Sequence, residues 1–373
     1  MIYLSMFLLS SFFIYVSEKK KNRIVNTICI IIALSLPILM ATFRDISVGI
    51  DVEYYVVPFW NRAHNWNSLI KYATLNDIDI LYATINFILS RFFVDIKWLF
   101  FFIYLIEYIL IYKSFVNMKQ IGSVWFSMLL YYFLCYNNSL STVRQSLGMA
   151  FVLLGISLLF RDGYKKKSYF KAIICVLIAT GIQTGCFVGV IIIVIIFLAR
   201  KGLNAQKAFL YFLVLVPVLI GLKNKIITLL YSIAGIINTK YIGQSAIRTG
   251  GLSDNLMNFL FGGIIFVIIS LICLKIKENN FDVTVFNNCC LVTVMGFIGL
   301  EIALSDYQPV VRLLQNLQFF WIFSLVQGWK LLKKDIINIR IYQWLITGFV
   351  GIYWWYMYIW VDMVSTANYI IAY

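Results

Sequence analysis

One histidine in 373 residues, His64, rules out a histidine-dependent triad and a multi-histidine metal centre by count alone. Charge is scarce as well. Asp, Glu, Lys and Arg make up 13% of the chain against 62% hydrophobic residues, a balance that excludes a soluble globular domain. The seven cysteines show no Cys-x-x-Cys and no paired spacing, and most fall within or beside apolar stretches. They read as free buried thiols, so neither a disulfide framework nor a metal site is expected. No Walker loop, GxGxxG fingerprint or GxSxG elbow stands in a suitable context, and there is no internal repeat, low-complexity tract or soluble domain.

What the chain does have is apolar length, with a mean hydropathy of +0.88. Candidate spans lie at Met1 to Val16, Ile24 to Phe43, Ile80 to Phe93, Trp98 to Tyr112, Val124 to Tyr136, Val143 to Phe160, Tyr169 to Thr180, Cys186 to Leu198, Ala208 to Leu222, Asn258 to Leu274, Val283 to Leu304, Val310 to Gln327 and Trp344 to Val361. A helix satisfies its own backbone hydrogen bonds in lipid, and roughly 20 residues cross the hydrocarbon core. A β-barrel would need weakly alternating strands, which these continuous Ile, Leu and Phe runs are not. The expected fold is therefore all-α: a polytopic integral membrane helical bundle of twelve or thirteen membrane segments, forming one domain over residues 1–373.

The net charge of +15 does not imply nucleic acid. Lys19 to Lys21 and Arg23, Arg161 and Lys165 to Lys167, Arg200, Lys201 and Lys207, Lys275 and Lys277, and Lys330, Lys333, Lys334 and Arg340 all sit in short loops between apolar blocks. That is the positive-inside pattern, which makes those loops cytoplasmic; Tyr353 to Tyr356 fits an interfacial aromatic belt. The first sixteen residues lack a basic n-region and a small-residue cleavage site, and read as a retained span with its N-terminus outside. Five candidate spans separate Lys19–Arg23 from Lys165–Lys167, although both should face the cytoplasm, so one of the five is a partial or re-entrant helix. The weakest are Ile80 to Phe93 and the pair flanking Tyr136 to Arg144. Residues 44–79 and 223–257 form longer extracytoplasmic segments, the first resembling an interfacial helix or short folded loop and the second a lid.

Polar residues gather at the outer ends of the spans: Arg44 to Tyr55, Asn137 to Gln145, Gly181 to Gly185, and Ser305 to Pro309 followed by Arg312. Arginines there break the positive-inside rule. A guanidinium is a rigid fork of donors, so Arg44, Arg144, Arg248 and Arg312 together suit a diphosphate. Among Asp45, Asp51, Glu53 and Asp306, Asp51 is best placed to act on a hydroxyl. The competing readings are arginines snorkelling to headgroups, aspartates pairing with Arg44 or capping a helix, Glu107 as a partner of Arg91 or a tyrosine, and His64 as a solvated loop residue.

The order Arg44-x5-Gly49-x-Asp51-x2-Tyr54 after the second span, then Val143-Arg144-Gln145-Ser146-Leu147-Gly148-Met149-Ala150 opening a later one, resembles the EpsG family of bacterial polysaccharide polymerases, related to the Wzy-type O-antigen polymerases. The resemblance implies a GT-C-like membrane glycosyltransferase. It would polymerise undecaprenyl-diphosphate-linked oligosaccharide repeat units on the outer face of the bacterial cytoplasmic membrane. Separately from the resemblance, the scarcity of clustered carboxylates gives the expectation of chemistry without metal or other cofactor. Donor and acceptor are then lipid-linked glycans, membrane lipid is the solvent, and a chain-length regulator protein is a further partner; nucleic acid is not. By motif, Asp51, Arg144 and Arg312 are carried over or added as catalytic candidates. Arg44, Gly49, Tyr54, Gln145, Arg248 and Tyr307 are candidates for substrate binding. Gln183 joins them, standing where the family commonly has a histidine. Tyr54, Tyr55, Trp60 and Tyr307 are candidates to stack on sugar faces. A lipid-linked oligosaccharide flippase or exporter and a polysaccharide ligase are the alternative functions. A flippase should carry charge at mid-span on several helices, whereas here Glu107 is the main such residue.

Overall fold

The computed structural model describes residues 2–203, 252–275, 280–304, 317–332 and 336–372, with positions 207, 210, 211, 214, 217, 218, 221, 222 and 225 between them. In chain order the helices are α1 (Ile2–Lys19), α2 (Arg23–Thr42), α3 (Val57–Asn65), α4 (Leu69–Leu75), α5 (Ile80–Phe92), α6 (Lys97–Asn117), α7 (Val124–Tyr131), α8 (Asn137–Ser141), α9 (Val143–Arg161), α10 (Lys166–Ile182), α11 (Val188–Arg200), α12 (Leu252–Lys275), α13 (Phe281–Leu304), α14 (Phe319–Gln327) and α15 (Ile336–Trp354). Among the described residues the only β pairing is an isolated antiparallel bridge between Arg44 and Ile371. Five helices (α1, α2, α6, α9 and α13) are long and apolar enough to cross a membrane, and the protein is an all-α polytopic membrane protein.

The chain divides into two compact units, residues 1–190 with 339–373, and residues 191–338. In the first, α2 starts on an Asn22 cap, whose side-chain oxygen accepts from the backbone N–H of Ile24 at 2.9 Å and Val25 at 3.4 Å. Pro37 lies inside α2 and brings no N–H for the carbonyl of Ala33, four residues back. The Ser10 hydroxyl of α1 donates to that carbonyl at 2.7 Å and also meets the Tyr132 hydroxyl at 2.7 Å. Helix α7 continues through a π-helical turn, Tyr132–Tyr136, into α8, and all five residues of that turn are buried. Small residues let α9 and α10 approach closely: a Cβ on Gly155 would stand 3.2 Å from the Ala172 carbonyl oxygen and from the Cys175 Cβ.

Helix α5 has 13 residues and is about 20 Å long, short of the roughly 30 Å hydrocarbon core. With α5 set aside, four helical segments, α2, α6, α7–α8 and α9, join the two basic loops, and an even number returns the chain to the same end. Contacts agree: the Glu18 carboxylate at the end of α1 accepts from the backbone N–H groups of Val124 and Trp125, and Arg161 at the end of α9 donates to Asn117 at the end of α6. The C-terminal ends of α1, α6 and α9 and the start of α7 thus gather at one end of this unit. At the other end, Arg91 of α5 donates to the carbonyls of Ala63, His64 and Trp66, closing the C-terminus of α3.

The second unit packs α12, α13 and α14 around Trp321, which is fully buried between Phe261 at 5.2 Å and Phe297 at 4.7 Å between ring centroids. Phe286 meets Phe320 and Phe323 in the same core. The seven cysteines are free, six of them buried and Cys273 half-buried.

Candidate functional site

The polar end of the first unit begins where α2 stops. Residues 43–50 lie against the C-terminal tail: Asp45 N–H donates to Ile370 O at 2.8 Å, Ala372 N–H to Phe43 O at 2.9 Å, Gly49 N–H to Ser365 O at 2.9 Å and Ile50 N–H to Val364 O at 3.2 Å. The tail is itself fastened by Asn137. Its side chain donates to the Thr366 hydroxyl at 3.0 Å and accepts from the Trp354 indole at 2.8 Å. Asp45 spends its carboxylate on its own turn, accepting from the Ser47 N–H at 3.0 Å and hydroxyl at 2.7 Å, which holds its pKa below the ordinary carboxylate value.

Gly49 has φ +103°, and a Cβ there would lie 2.8 Å from the Leu140 carbonyl oxygen and 2.9 Å from the Ser141 Cα. Only glycine meets both demands. Two residues on, the Asp51 N–H donates to the Ser141 hydroxyl at 3.3 Å. Ser141 precedes Thr142, Val143 and Arg144, so the two sequence motifs that are 90 residues apart at that bond meet through backbone.

Arg44 is 1% exposed, with its guanidinium 4.6 Å from the Phe100 ring centroid and 5.2 Å from that of Tyr104. Its Nε, Nη1 and Nη2 make no hydrogen bond of good geometry among the described residues and no carboxylate there stands within 4.0 Å; the Tyr104 hydroxyl is a close polar neighbour and Glu107 lies within electrostatic range. Cation–π contact with two rings offsets part of the desolvation cost, about 1–2 kcal/mol per ring against several for a buried unpaired cation. Glu107, fully buried one turn below Tyr104, accepts from the Tyr131 hydroxyl at 2.9 Å; its partner is thus a tyrosine, not Arg91.

Arg144 sits in the first turn of α9, where the helix dipole disfavours a cation by about 0.3–1 kcal/mol. Its Nη1 is 3.7 Å from Asp79 Oδ2, with both side chains mostly buried, and its guanidinium lies over the rings of Phe59 at 5.3 Å and Tyr82 at 5.4 Å. The Thr184 hydroxyl donates to Asp79 Oδ1. Tyr82 lies within electrostatic range of both Arg144 and Arg44. Gln183 ends α10, its Oε1 buried without a hydrogen-bond partner among the described residues; Gln145 is buried on α9, its carbonyl accepting from the Cys186 thiol at 3.8 Å.

Tyr54 is 68% exposed on the π-helical turn Val52–Val56, and Tyr55 is exposed beside it. Trp60 does not offer a free stacking face: it is buried, its indole donating to the Val94 carbonyl at 3.1 Å and its ring packing edge-on to His64. His64 is a half-buried residue of α3 rather than a solvated loop residue, its two ring nitrogens facing the carbonyls of Trp60 and Phe93. Arg248, Asp306, Tyr307 and Arg312 lie outside the described residues, as does most of 223–257.

Two participants fall in none of the polar groupings, Asp79 and the C-terminal tail, and a third, Thr184, lies inside the Gly181 to Gly185 grouping with no role expected from sequence. The polar run Asn76-Asp77-Ile78-Asp79 before an apolar block is the one trace Asp79 leaves in sequence. Among the described residues no group of three or more His, Cys, Asp and Glu side chains is arranged to hold a metal ion.

No curated protein and no solved structure matches the chain significantly. The EpsG family description does match, over residues 27–373, a span that includes both motifs and the tail that holds the first of them. The chain belongs to the EpsG family, a family of polysaccharide-polymerase-like membrane proteins.

Proposed function

We propose that this protein is a membrane glycosyltransferase that joins undecaprenyl-diphosphate-linked oligosaccharide repeat units on the outer face of the bacterial cytoplasmic membrane, as the Wzy-type polymerases do. The observation that carries this reading is Arg44: a cation nine-tenths buried and more, with no ion pair among the described residues, and sharing the electrostatic neighbourhood of Tyr82 with Arg144, whose ion pair to Asp79 is loose. An unpaired buried charge is costly, and sites that keep one are built for an ion that arrives from outside. Family membership supplies the polymer chemistry.

The reaction displaces lipid diphosphate from an anomeric carbon. A sugar hydroxyl of the acceptor unit attacks, the bond from that carbon to the phosphate oxygen breaks, and its electron pair leaves on the diphosphate. Negative charge grows on the leaving group, so fixed guanidinium donors in a low-dielectric setting lower the barrier. Arg44 and Arg144 take that role. Asp51 orients or deprotonates the acceptor hydroxyl, and Tyr54, Gln145 and Gln183 contact the glycan. Gly49 holds the Asp51 turn against the start of α9. The arginines do the charge neutralisation that a metal would otherwise supply; polymerisation that stops with chelator and returns with Mg²⁺ or Mn²⁺ refutes that part.

The test is deletion followed by sizing of the surface glycan. A polymerase leaves single repeat units on the surface carrier, a flippase leaves none, and a ligase leaves long unattached chains. Arg144→Ala and Arg144→Lys reproduce the single-unit outcome with the protein still inserted. Normal chain lengths in both variants remove Arg144 from the mechanism.

A further inference from the structure

Asp79 is the carboxylate in contact with Arg144, and none of the roles above uses it. It stands at the start of α5 but makes no side-chain cap to that helix. Its two oxygens are divided instead: Oδ1 accepts from the Thr184 hydroxyl, and Oδ2 faces Arg144 Nη1 at 3.7 Å. That separation is an ion pair without a hydrogen bond, so the guanidinium donors are not committed to Asp79. Arg144 is also at the positive end of α9, where nothing in the helix helps to hold it. A diphosphate carrying two or more negative charges competes well against one carboxylate at that distance.

We propose that Asp79 takes the proton of the attacking sugar hydroxyl, and that it becomes able to do so when Arg144 turns from it to the lipid diphosphate. This rests on the glycosyl-transfer reading above. A carboxylate that loses a neighbouring cation becomes a stronger base, so binding of the donor switches on the group that activates the acceptor. The hydroxyl O–H bond breaks and its proton passes to Asp79 Oδ2. The freed oxygen forms the new bond to the anomeric carbon, and the bond from that carbon to phosphate breaks with its electron pair on the diphosphate. Asp51 is left to orient the acceptor.

An unsatisfied atom next in sequence to Thr184 suits a polyhydroxylated ligand. Among the described residues the buried Gln183 Oε1 has no hydrogen-bond partner, and a sugar hydroxyl would supply the missing donor. At Thr184 and Gly185 the surface is exposed, and a Cβ on Gly185 would touch nothing within 4 Å, which leaves room for a sugar to enter. The charged and titratable groups facing Asp79 are Arg144 on α9 and Cys186 in the turn after α10, while Tyr82 and Tyr72 face Arg144 from α5 and α4.

The test uses the full chain in lipid nanodiscs, with undecaprenyl diphosphate as the binding probe and the lipid-linked repeat unit extracted from a polymerase-deficient strain as substrate. Asp79→Asn keeps the Thr184 contact and removes the competing charge. The expected result is tighter binding of undecaprenyl diphosphate together with chain growth slowed by about 10²–10⁴-fold, the range of a lost general base. Asp79→Glu recovers part of the rate. Chain growth within about tenfold of the unmodified rate in Asp79→Asn, or weaker binding alongside slower growth, overturns the proposal. If Asp79→Asn does not insert, Asp79→Glu carries the test: slowed growth with binding of undecaprenyl diphosphate retained supports the proposal, and an unchanged rate overturns it. An unmodified protein that binds the probe yet never extends the glycan sinks the polymerase reading itself, and Asp79 with it.

Discussion

Gly49→Ala is the sharpest test of how the site loop is built. The perturbation has two parts. At φ +103° an L-residue is strained by about 1–2 kcal/mol. The added Cβ would also sit 2.8 Å from the Leu140 carbonyl oxygen and 2.9 Å from the Ser141 Cα, both backbone atoms that no rotamer change relieves. Overpacking of this kind costs about 1–3 kcal/mol, so the loop is destabilised by about 2–5 kcal/mol in place. The chain relaxes by moving residues 43–50 off the α8–α9 junction, which breaks the Asp51–Ser141 hydrogen bond and loosens the tail. Hydrogen exchange on peptides covering 43–50 and 362–372 should rise together, and glycan chains should shorten while the protein stays inserted. Gly348→Ala is the matched control: it lies in α15 with nothing within 4 Å of its Cβ, and alanine there is neutral or stabilising by up to about 1 kcal/mol. Equal exchange and equal chain lengths in the two variants would refute the reasoning.

Removing residues 362–373 should leave an inserted protein that makes no polymer, because the tail supplies the carbonyl and N–H partners of residues 43–50; glycan sizing and membrane fractionation read both outcomes. Ser10→Ala should cost about 1–3 kcal/mol in thermal unfolding, since it orphans the Ala33 carbonyl under Pro37 and the Tyr132 hydroxyl. At the basic end, Asp162 accepts from Arg161 at 2.9 Å and Lys171 at 3.2 Å, and this contact with Arg161 holds its pKa below the ordinary 3.8. A lowered carboxylate stabilises the fold above its unfolded value and loses that contribution as pH falls through the lowered one. Acid titration should therefore show a small stability loss below pH 3.8 that Asp162→Asn lacks, small because such partly exposed pairs contribute about 0–1 kcal/mol.

The long spans were legible because an apolar run leaves one structural option in lipid. The predicted Ile24 to Phe43 and Val143 to Phe160 compare with helices at Arg23–Thr42 and Val143–Arg161. The short Ile80 to Phe93 block is α5, and the mixed aromatic segment 44–79 is a π-helical turn followed by two short helices. The last helix starts at Ile336 rather than Trp344, because Asn338, Arg340 and Gln343 interrupt the apolar run without interrupting the helix. The motif arginines and Gly49 were readable from type and spacing. The tail was not, since it grips residues 43–50 mainly through backbone N–H and carbonyl groups, and those are the same in every residue. Asp79 was missed for a related reason: its meaning comes from Arg144 and Thr184, which are 65 and 105 residues away in the chain, and no local pattern records such a meeting.

The central claim is that Arg44 is a buried cation kept for an incoming diphosphate. Thermal unfolding of the purified protein and of Arg44→Met, each with and without undecaprenyl diphosphate, tests it most directly. Methionine preserves packing against Phe100 and Tyr104 and removes an unpaired charge whose burial costs several kcal/mol. The account predicts that the ligand raises the melting temperature of the unmodified protein, by about 2.7 kcal/mol of stabilisation at a concentration 100 times its Kd. It also predicts that Arg44→Met melts higher than the unmodified protein without ligand and gains little from it. An Arg44→Met protein that melts lower and keeps its full response to the ligand contradicts the account.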